Sequence, residues 1–239
     1  MISKTIHYCW FGKSEMPEMV QKCIASWHKY MPDWDYKLWN EDNFDVNSIP
    51  YTKEAYEAKK YAFVSDYVRL WALFNEGGLY LDTDVEIFKP FDDLLNYKAF
   101  AGFEGSKHLP VGTCVMASEA GGEWIKKQLD YYKDRHFLNK DGSFDLTTNV
   151  QFMNAKMCEQ GFVQEGSEQD FKDVHIFPVD YFSPRHTTGE YIRTKNTYCE
   201  HLGLASWSAN SKSWKGLVRK IVGQKSMTCL IKLKRKIFG

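Results

Sequence analysis

The stretch Gly77-Gly78-Leu79-Tyr80-Leu81-Asp82-Thr83-Asp84 decides how this chain is read. The paired glycines read as the stop of a preceding helix, and Leu79–Leu81 as a very short apolar strand. In an extended stretch residues i and i+2 point the same way, so Asp82 and Asp84 are expected to present two carboxylates to one spot at a strand end. Two such groups repel unless a proton or a cation joins them. Oxygen ligands suit Mg²⁺ and Mn²⁺, and an ion held there can bind a diphosphate and neutralise the charge that grows as it leaves. The plain alternative is an acidic turn with both side chains solvated, since a bare DxD is common.

Upstream, Thr52 onward reads as one long helix. Phe63, Tyr67, Leu70, Trp71 and Phe74 form a single apolar stripe along it. Asp66 and Arg69 stand three apart on that helix and can meet. A functional pair there would accept from sugar hydroxyls and donate to hydroxyl or phosphate. Taken alone the spacing favours a surface ion pair worth little.

Further out, Lys4–Trp10 alternates as a strand, with Ile6, Tyr8 and Trp10 on one face, and Pro17 to Tyr30 reads as a helix. Asp35–Trp39, Val85–Phe88, Ala99–Phe103, Thr113–Ala117, Val174–Phe177 and Thr197–Leu202 read as strands. Glu123–Arg135 and Leu146–Cys158 read as helices. Strands alternating with helices predict an α/β sheet with helices on its faces. Neither a repeat nor a convincing domain boundary precedes about Ser211, so residues 1–211 are expected to form one domain.

Charge is unevenly spread. The net charge is zero, yet residues 1–211 carry 22 basic and 31 acidic side chains, and Lys212–Gly239 hold nine of the 31 Lys+Arg. An acidic body argues against nucleic-acid binding. In residues 212–239, Trp214, Leu217, Val218, Ile221 and Val222 follow helical spacing with Lys215, Arg219 and Lys220 between them. This basic amphipathic tail suits an anionic membrane surface, or equally a helix docked on the domain with a solvated basic face. The six cysteines include no CxxC pair, which disfavours a zinc or redox motif and fits reduced thiols in a cytoplasm. No apolar run approaches the ~20 residues a spanning helix needs.

Two more side chains stand out. Trp10 ends the first strand beside Gly12, where an indole can stack on a base or close a core. His201 ends a late strand. A lone histidine is usually structural, and it becomes a ligand candidate only if the sheet brings it beside Asp82 and Asp84.

Together these segments resemble the DXD-containing sugar-binding glycosyltransferases of family 32. The resemblance is carried by Lys4-Thr-Ile-His-Tyr-Cys-Trp-Phe-Gly12, by Ala62-Phe-Val-Ser-Asp-Tyr-Val-Arg69 through Asp84, and by His201 to Trp207 with its late His and Ser-Trp. It covers residues 1–90 well and 90–195 thinly. It implies a GT-A fold with a mixed sheet, and retaining transfer of a hexose from a UDP- or GDP-sugar. The implied acceptor is a glycan or a lipid-linked saccharide. Bacterial capsule or lipopolysaccharide synthesis on the inner face of the cell membrane is the implied setting. Trp10 would stack on the base, with Tyr8 and Cys9 lining the nucleotide. Asp66 and Arg69 would hold the donor sugar. Asp82 would face ribose and sugar, Asp84 and His201 the Mn²⁺ or Mg²⁺, and Trp207 the diphosphate. Arg69, Asp82 and Asp84 are the expected catalytic groups.

Two rivals remain open. A haloacid-dehalogenase-like phosphatase also uses a DxD after an apolar strand, but normally begins with it. A non-catalytic carbohydrate-binding module suits the aromatic content. Between residues 90 and 195, Glu104, His108, Asn149, Gln151 and His186 are polar positions that can touch sugars, none preferred over the others.

Overall fold

A computed structural model describes residues 1–105, 110–184 and 193–204. Met1–Leu202 forms one compact unit. The expected Trp207 and the basic tail 212–239 lie outside the described residues, as do His108 and His186.

Nine strands and six α-helices are described: β1 (Thr5–Cys9), α1 (Glu18–Tyr30), β2 (Asp35–Trp39), α2 (Pro50–Glu57), α3 (Tyr61–Glu76), β3 (Gly78–Leu81), β4 (Val85–Ile87), β5 (Ala99–Phe103), β6 (Val111–Ser118), α4 (Glu123–Asp130), α5 (Asn149–Glu159), β7 (Gln169–Phe171), β8 (Val174–Phe177), α6 (Val179–Phe182) and β9 (Cys199–His201). Seven strands form one sheet in the order β2-β1-β3-β6-β5-β8-β7, and β4 pairs with β9 in a separate two-stranded sheet. Within the large sheet, β1 runs parallel to β2 and β3, and β5 parallel to β8, while β6 runs antiparallel to β3 and β5.

Both faces of this sheet are covered, so its strands are apolar on both sides. Tyr80, Ala101, Met116 and Ile176 pack with Tyr51, Phe63, Leu70, Trp124 and Met153 from α2 to α5. Leu79, Leu81, Phe100, Ala117 and Phe177 pack with Trp27 of α1 and Phe182 of α6 on the opposite face. The switch of face at each residue is the strand period read directly in three dimensions.

The single long helix expected from Thr52 is two helices. Lys59 adopts φ 57°, and its N–H donates to the Tyr56 carbonyl at 2.9 Å while the Lys60 N–H donates to Ala55 at 2.8 Å. These bonds are a Schellman cap, with lysine where glycine is usual. The helix expected over Glu123–Arg135 stops at Asp130. The reason is tertiary: Arg135 Nε donates to Asp145 at 2.8 Å and its Nη2 to the Thr147 carbonyl at 2.7 Å.

Three local contacts set β3 in place. Gly77 caps α3 at φ 66°, and a Cβ on Gly78 (φ 108°) would sit 2.6 Å from the Thr5 carbonyl, so β1 and β3 can approach only with glycine there. Buried His7 lies 2.8 Å from the Gly77 carbonyl through Nε2 and receives the Trp39 indole N–H on Nδ1 at 3.1 Å. That network assigns the neutral Nε2–H tautomer, and burial lowers the His7 pKa accordingly.

Candidate active site

β3 ends at Leu81, and the chain then turns. The Asp82 N–H donates to the Cys114 carbonyl at 2.9 Å, and the Val85 N–H closes the turn on the Asp82 carbonyl at 3.0 Å. Asp82 and Asp84 therefore converge through a turn rather than through the strand alternation expected from sequence. Helix α1 anchors β4 beyond the turn: the Trp27 indole N–H donates to the Val85 carbonyl at 2.7 Å and Ser26 Oγ accepts from the Ile87 N–H at 2.9 Å. β9 then pairs antiparallel with β4 and sets His201 opposite Val85. The sheet thus meets the condition placed on His201. One ligand atom each of Asp82, Asp84 and His201 lie within 4.8 Å of one another, with His201 Nε2 3.3 Å from Asp84 Oδ1.

Behind them stands a buried ion-pair network. Arg69 is 5% exposed and Asp66 8%, which overturns the surface-pair reading. Arg69 Nη2 lies 3.1 Å from Asp66 Oδ1 and 3.2 Å from Asp82 Oδ1. Its Nη1 donates to the Thr113 carbonyl at 2.8 Å, and its guanidinium lies 4.6 Å from the Tyr80 ring centre. Tyr80 in turn donates its hydroxyl to Asp82 Oδ1 at 3.1 Å. Asp66 Oδ2 accepts the backbone N–H of Asn149 at 3.2 Å, one of the free donors of the first turn of α5.

One guanidinium serves two largely dehydrated carboxylates, and burial prevails. It pushes Asp66 up to about 6 against the pull of Arg69, and it also raises Asp82. Burial opposes the charged form of His201 as well, yet Cys114, Asp84 and Glu104 hold its pKa well above the ordinary value. Three aspartates face one arginine and one histidine. A divalent cation fits this surplus of negative charge, and two carboxylates with one imidazole form a donor set suited to Mn²⁺ or Mg²⁺.

Of the expected nucleotide contacts, Trp10 and Tyr8 are half-buried. The Trp10 indole N–H donates to the Ser14 carbonyl at 2.7 Å, and Tyr8 packs edge-on against Trp27. The Cys9 side chain instead points into the core, where burial drives its thiol up to about 12.

Sequence reasoning passed over Tyr80 and Thr113, and gave no preference to Glu104 or Asn149. The signal for Asn149 was present: Thr148-x-x-Gln151 is a capping box, with the Gln151 N–H donating to Thr148 Oγ1 and the Thr148 N–H to Gln151 Oε1. It fixes the start of α5 and so the N–H that reaches Asp66.

A nucleotide-binding type of α/β sheet whose short central strand runs straight into a DxD defines the GT-A class of glycosyltransferase folds. Residues 17–101 match the family described as "Glycosyltransferase sugar-binding region containing DXD motif". That match runs from the start of α1 into β5 and includes the DxD, in keeping with the resemblance to family 32. It is 34% identical over 106 residues to inositol phosphoceramide mannosyltransferase 3 of Schizosaccharomyces pombe, an alignment covering 41% of this chain and 29% of that protein. It is 24% identical over 222 residues to a glycosyltransferase of Acanthamoeba polyphaga mimivirus, covering 89% of this chain and 86% of that one. The chain thus spans under a third of the yeast relative and most of the viral one. A solved galactosyltransferase with donor and acceptor sugar analogs superposes with a TM-score of 0.46 at 13% identity, covering 95% of this chain and 94% of that one. No helix among the described residues is long and apolar enough to cross a membrane.

Proposed function

We propose that the protein is a metal-dependent, retaining hexosyltransferase acting on a nucleotide-sugar donor. The observation that carries this reading is the convergence of Asp82, Asp84 and His201 within 4.8 Å beside the buried Arg69. Asp84 and His201, with Asp82, would hold the divalent ion. When bound, that ion supplies charge neutralisation for the departing diphosphate. Arg69 keeps Asp82 aimed into the site, and Tyr80 supports the same carboxylate. The Asp66–Arg69 pair offers fixed acceptors and donors for the hydroxyls of the transferred sugar. Fixed dipoles of this kind act where charge develops without having to reorganise. Trp10 presents the half-buried indole on which the base would stack.

Asp82 already accepts from Arg69 and Tyr80, which suits a binding carboxylate better than the nucleophile of a phosphatase. The metal-ready donor set likewise favours catalysis over a passive carbohydrate module. Retention of anomeric configuration follows the family resemblance. The yeast relative's name supports mannose among the hexoses and a lipid among the acceptors. The acceptor is a glycan or a lipid-linked saccharide of the kind used in building bacterial surface polysaccharide. The basic segment 212–239, by its charge pattern, would meet anionic lipid on the cytoplasmic face. Liposome sedimentation of the full chain and of a chain ending at residue 211 tests that part, and equal binding by both refutes it.

The central test is a nucleotide-sugar hydrolysis panel with Mn²⁺, Mg²⁺ or EDTA, on the wild type and Asp84→Asn. Release of UDP or GDP that requires metal and disappears in the variant is expected. Absence of both turnover and metal-dependent nucleotide binding would reject the transferase reading.

A further inference from the structure

Beyond the three metal-facing groups, His201 has a second partner. Its Nδ1 lies 2.6 Å from Glu104 Oε1, on the residue that comes directly after β5. Glu104 is held by its own backbone, its N–H donating to the Pro110 carbonyl at 2.8 Å. Space for its carboxyl is left by Gly112, where a Cβ would come within 2.6 Å of Glu104 Oε2. The carboxyl is thus packed as well as hydrogen-bonded.

A neutral imidazole carries one N–H, and the group facing one nitrogen decides which nitrogen keeps it. The Glu104 carboxylate accepts the Nδ1 proton, so the proton that an arriving cation displaces is the one on Nε2, the nitrogen that faces Asp84. Resting on the metal site of the proposed function, we propose that Glu104 is a positioning residue that fixes the His201 tautomer and ring angle for cation binding. It acts through His201 and does not itself touch the ion. Outer partners of ligating histidines act in this way on metal affinity.

The rival arrangement is visible too. Glu104, Cys114 and His201 also place ligand atoms within 4.8 Å of one another, so Glu104 could instead be a direct ligand alongside a thiolate.

The experiment measures Mn²⁺ affinity of the full chain by electron paramagnetic resonance for wild type, Glu104→Gln, Glu104→Ala and Asp84→Asn. Nitrogen-15 histidine spectra of the Mg²⁺-loaded proteins accompany it. Glu104→Ala is expected to weaken Mn²⁺ binding by about 10- to 100-fold. Glu104→Gln, which keeps an acceptor of the same length, should fall between it and the wild type. The His201 signal of the Mg²⁺-loaded wild type should be the Nδ1–H form with Nε2 coordinated, and Glu104→Ala at the same Mg²⁺ concentration should lose part of it, a change that simple loosening of the fold would not produce. Should Glu104→Ala fail to fold, the Glu104→Gln affinity and the wild-type tautomer decide the matter. Wild-type Mn²⁺ affinity in the Glu104 variants, with binding lost in Asp84→Asn, would overturn this inference and leave the proposed function standing. Unchanged affinity in Asp84→Asn as well would remove both. A thiolate-to-metal absorption band on Co²⁺ loading, lost in Cys114→Ser, would make Glu104 a ligand and likewise overturn it.

Discussion

Arg69 reaches Asp82 across the site with Nη2 3.2 Å from Oδ1, while the same nitrogen holds Asp66 at 3.1 Å. A single guanidinium therefore determines the state of two carboxylates that belong to different elements, α3 and the turn after β3.

Removing that guanidinium should be severe. Arg69→Met leaves two carboxylates facing each other in a largely dry space, and breaking a buried pair in this way costs about 3–5 kcal/mol. Urea unfolding followed by circular dichroism measures it. Adding Asp66→Asn to Arg69→Met should restore part of the loss, because one uncompensated charge is then gone. A double variant no more stable than Arg69→Met would show that the cost is packing and not charge.

Asp66 gives the apo-protein a pH signature. Its folded pKa of about 6 lies above the ordinary 3.8, so between those values the folded state binds more protons than the unfolded one. Stability is then fully present below the unfolded value and is lost as pH rises through about 6. The expected decline is on the order of 2–3 kcal/mol. Unfolding in EDTA across this range should show it, and Asp66→Asn should flatten it. A difference between the wild-type and Asp66→Asn curves that rises over the same interval would contradict the assignment.

Tyr80→Phe isolates the hydroxyl that donates to Asp82 Oδ1. The ring keeps its place under Arg69, so the change should cost only about 1 kcal/mol of stability. Donor turnover should fall more than donor affinity, since the lost bond steadies a carboxylate at the reacting end. A change in KM with kcat intact would assign Tyr80 to ground-state binding.

Lys59→Gly should stabilise the protein. Exposed Lys59 sits at φ 57° in the cap between α2 and α3, where an L side chain is strained. Relief of that strain, offset by the greater freedom of glycine when unfolded, leaves a gain of about 0.5–1 kcal/mol, read as a raised Tm.

The residues that sequence reasoning placed well are those whose signal is local. Ala99–Phe103 and Val174–Phe177 are strands at the residues expected, and Gly77 ends α3 where a glycine pair said it would. The break at Lys59 was invisible because lysine carries no turn signal, and only the two cap bonds impose it. Asp66 reads as surface from its spacing, yet α5 brings the Asn149 N–H down onto it from 83 residues away. His201 could be judged only conditionally, since its value depends on β9 pairing with β4. Glu104 offered no pattern at all: its meaning is the 2.6 Å contact with His201, 97 residues along the chain.

The small sheet of β4 and β9 joins only three residue pairs. Its connectivity also sets a timetable. In a growing chain both aspartates of the DxD emerge well ahead of His201, and the imidazole joins them only when β9 closes on β4. Ion capture on the proposed reading thus coincides with the last strand pairing along the described residues, so the time course of cation uptake during refolding becomes a clock for closure of β9 on β4.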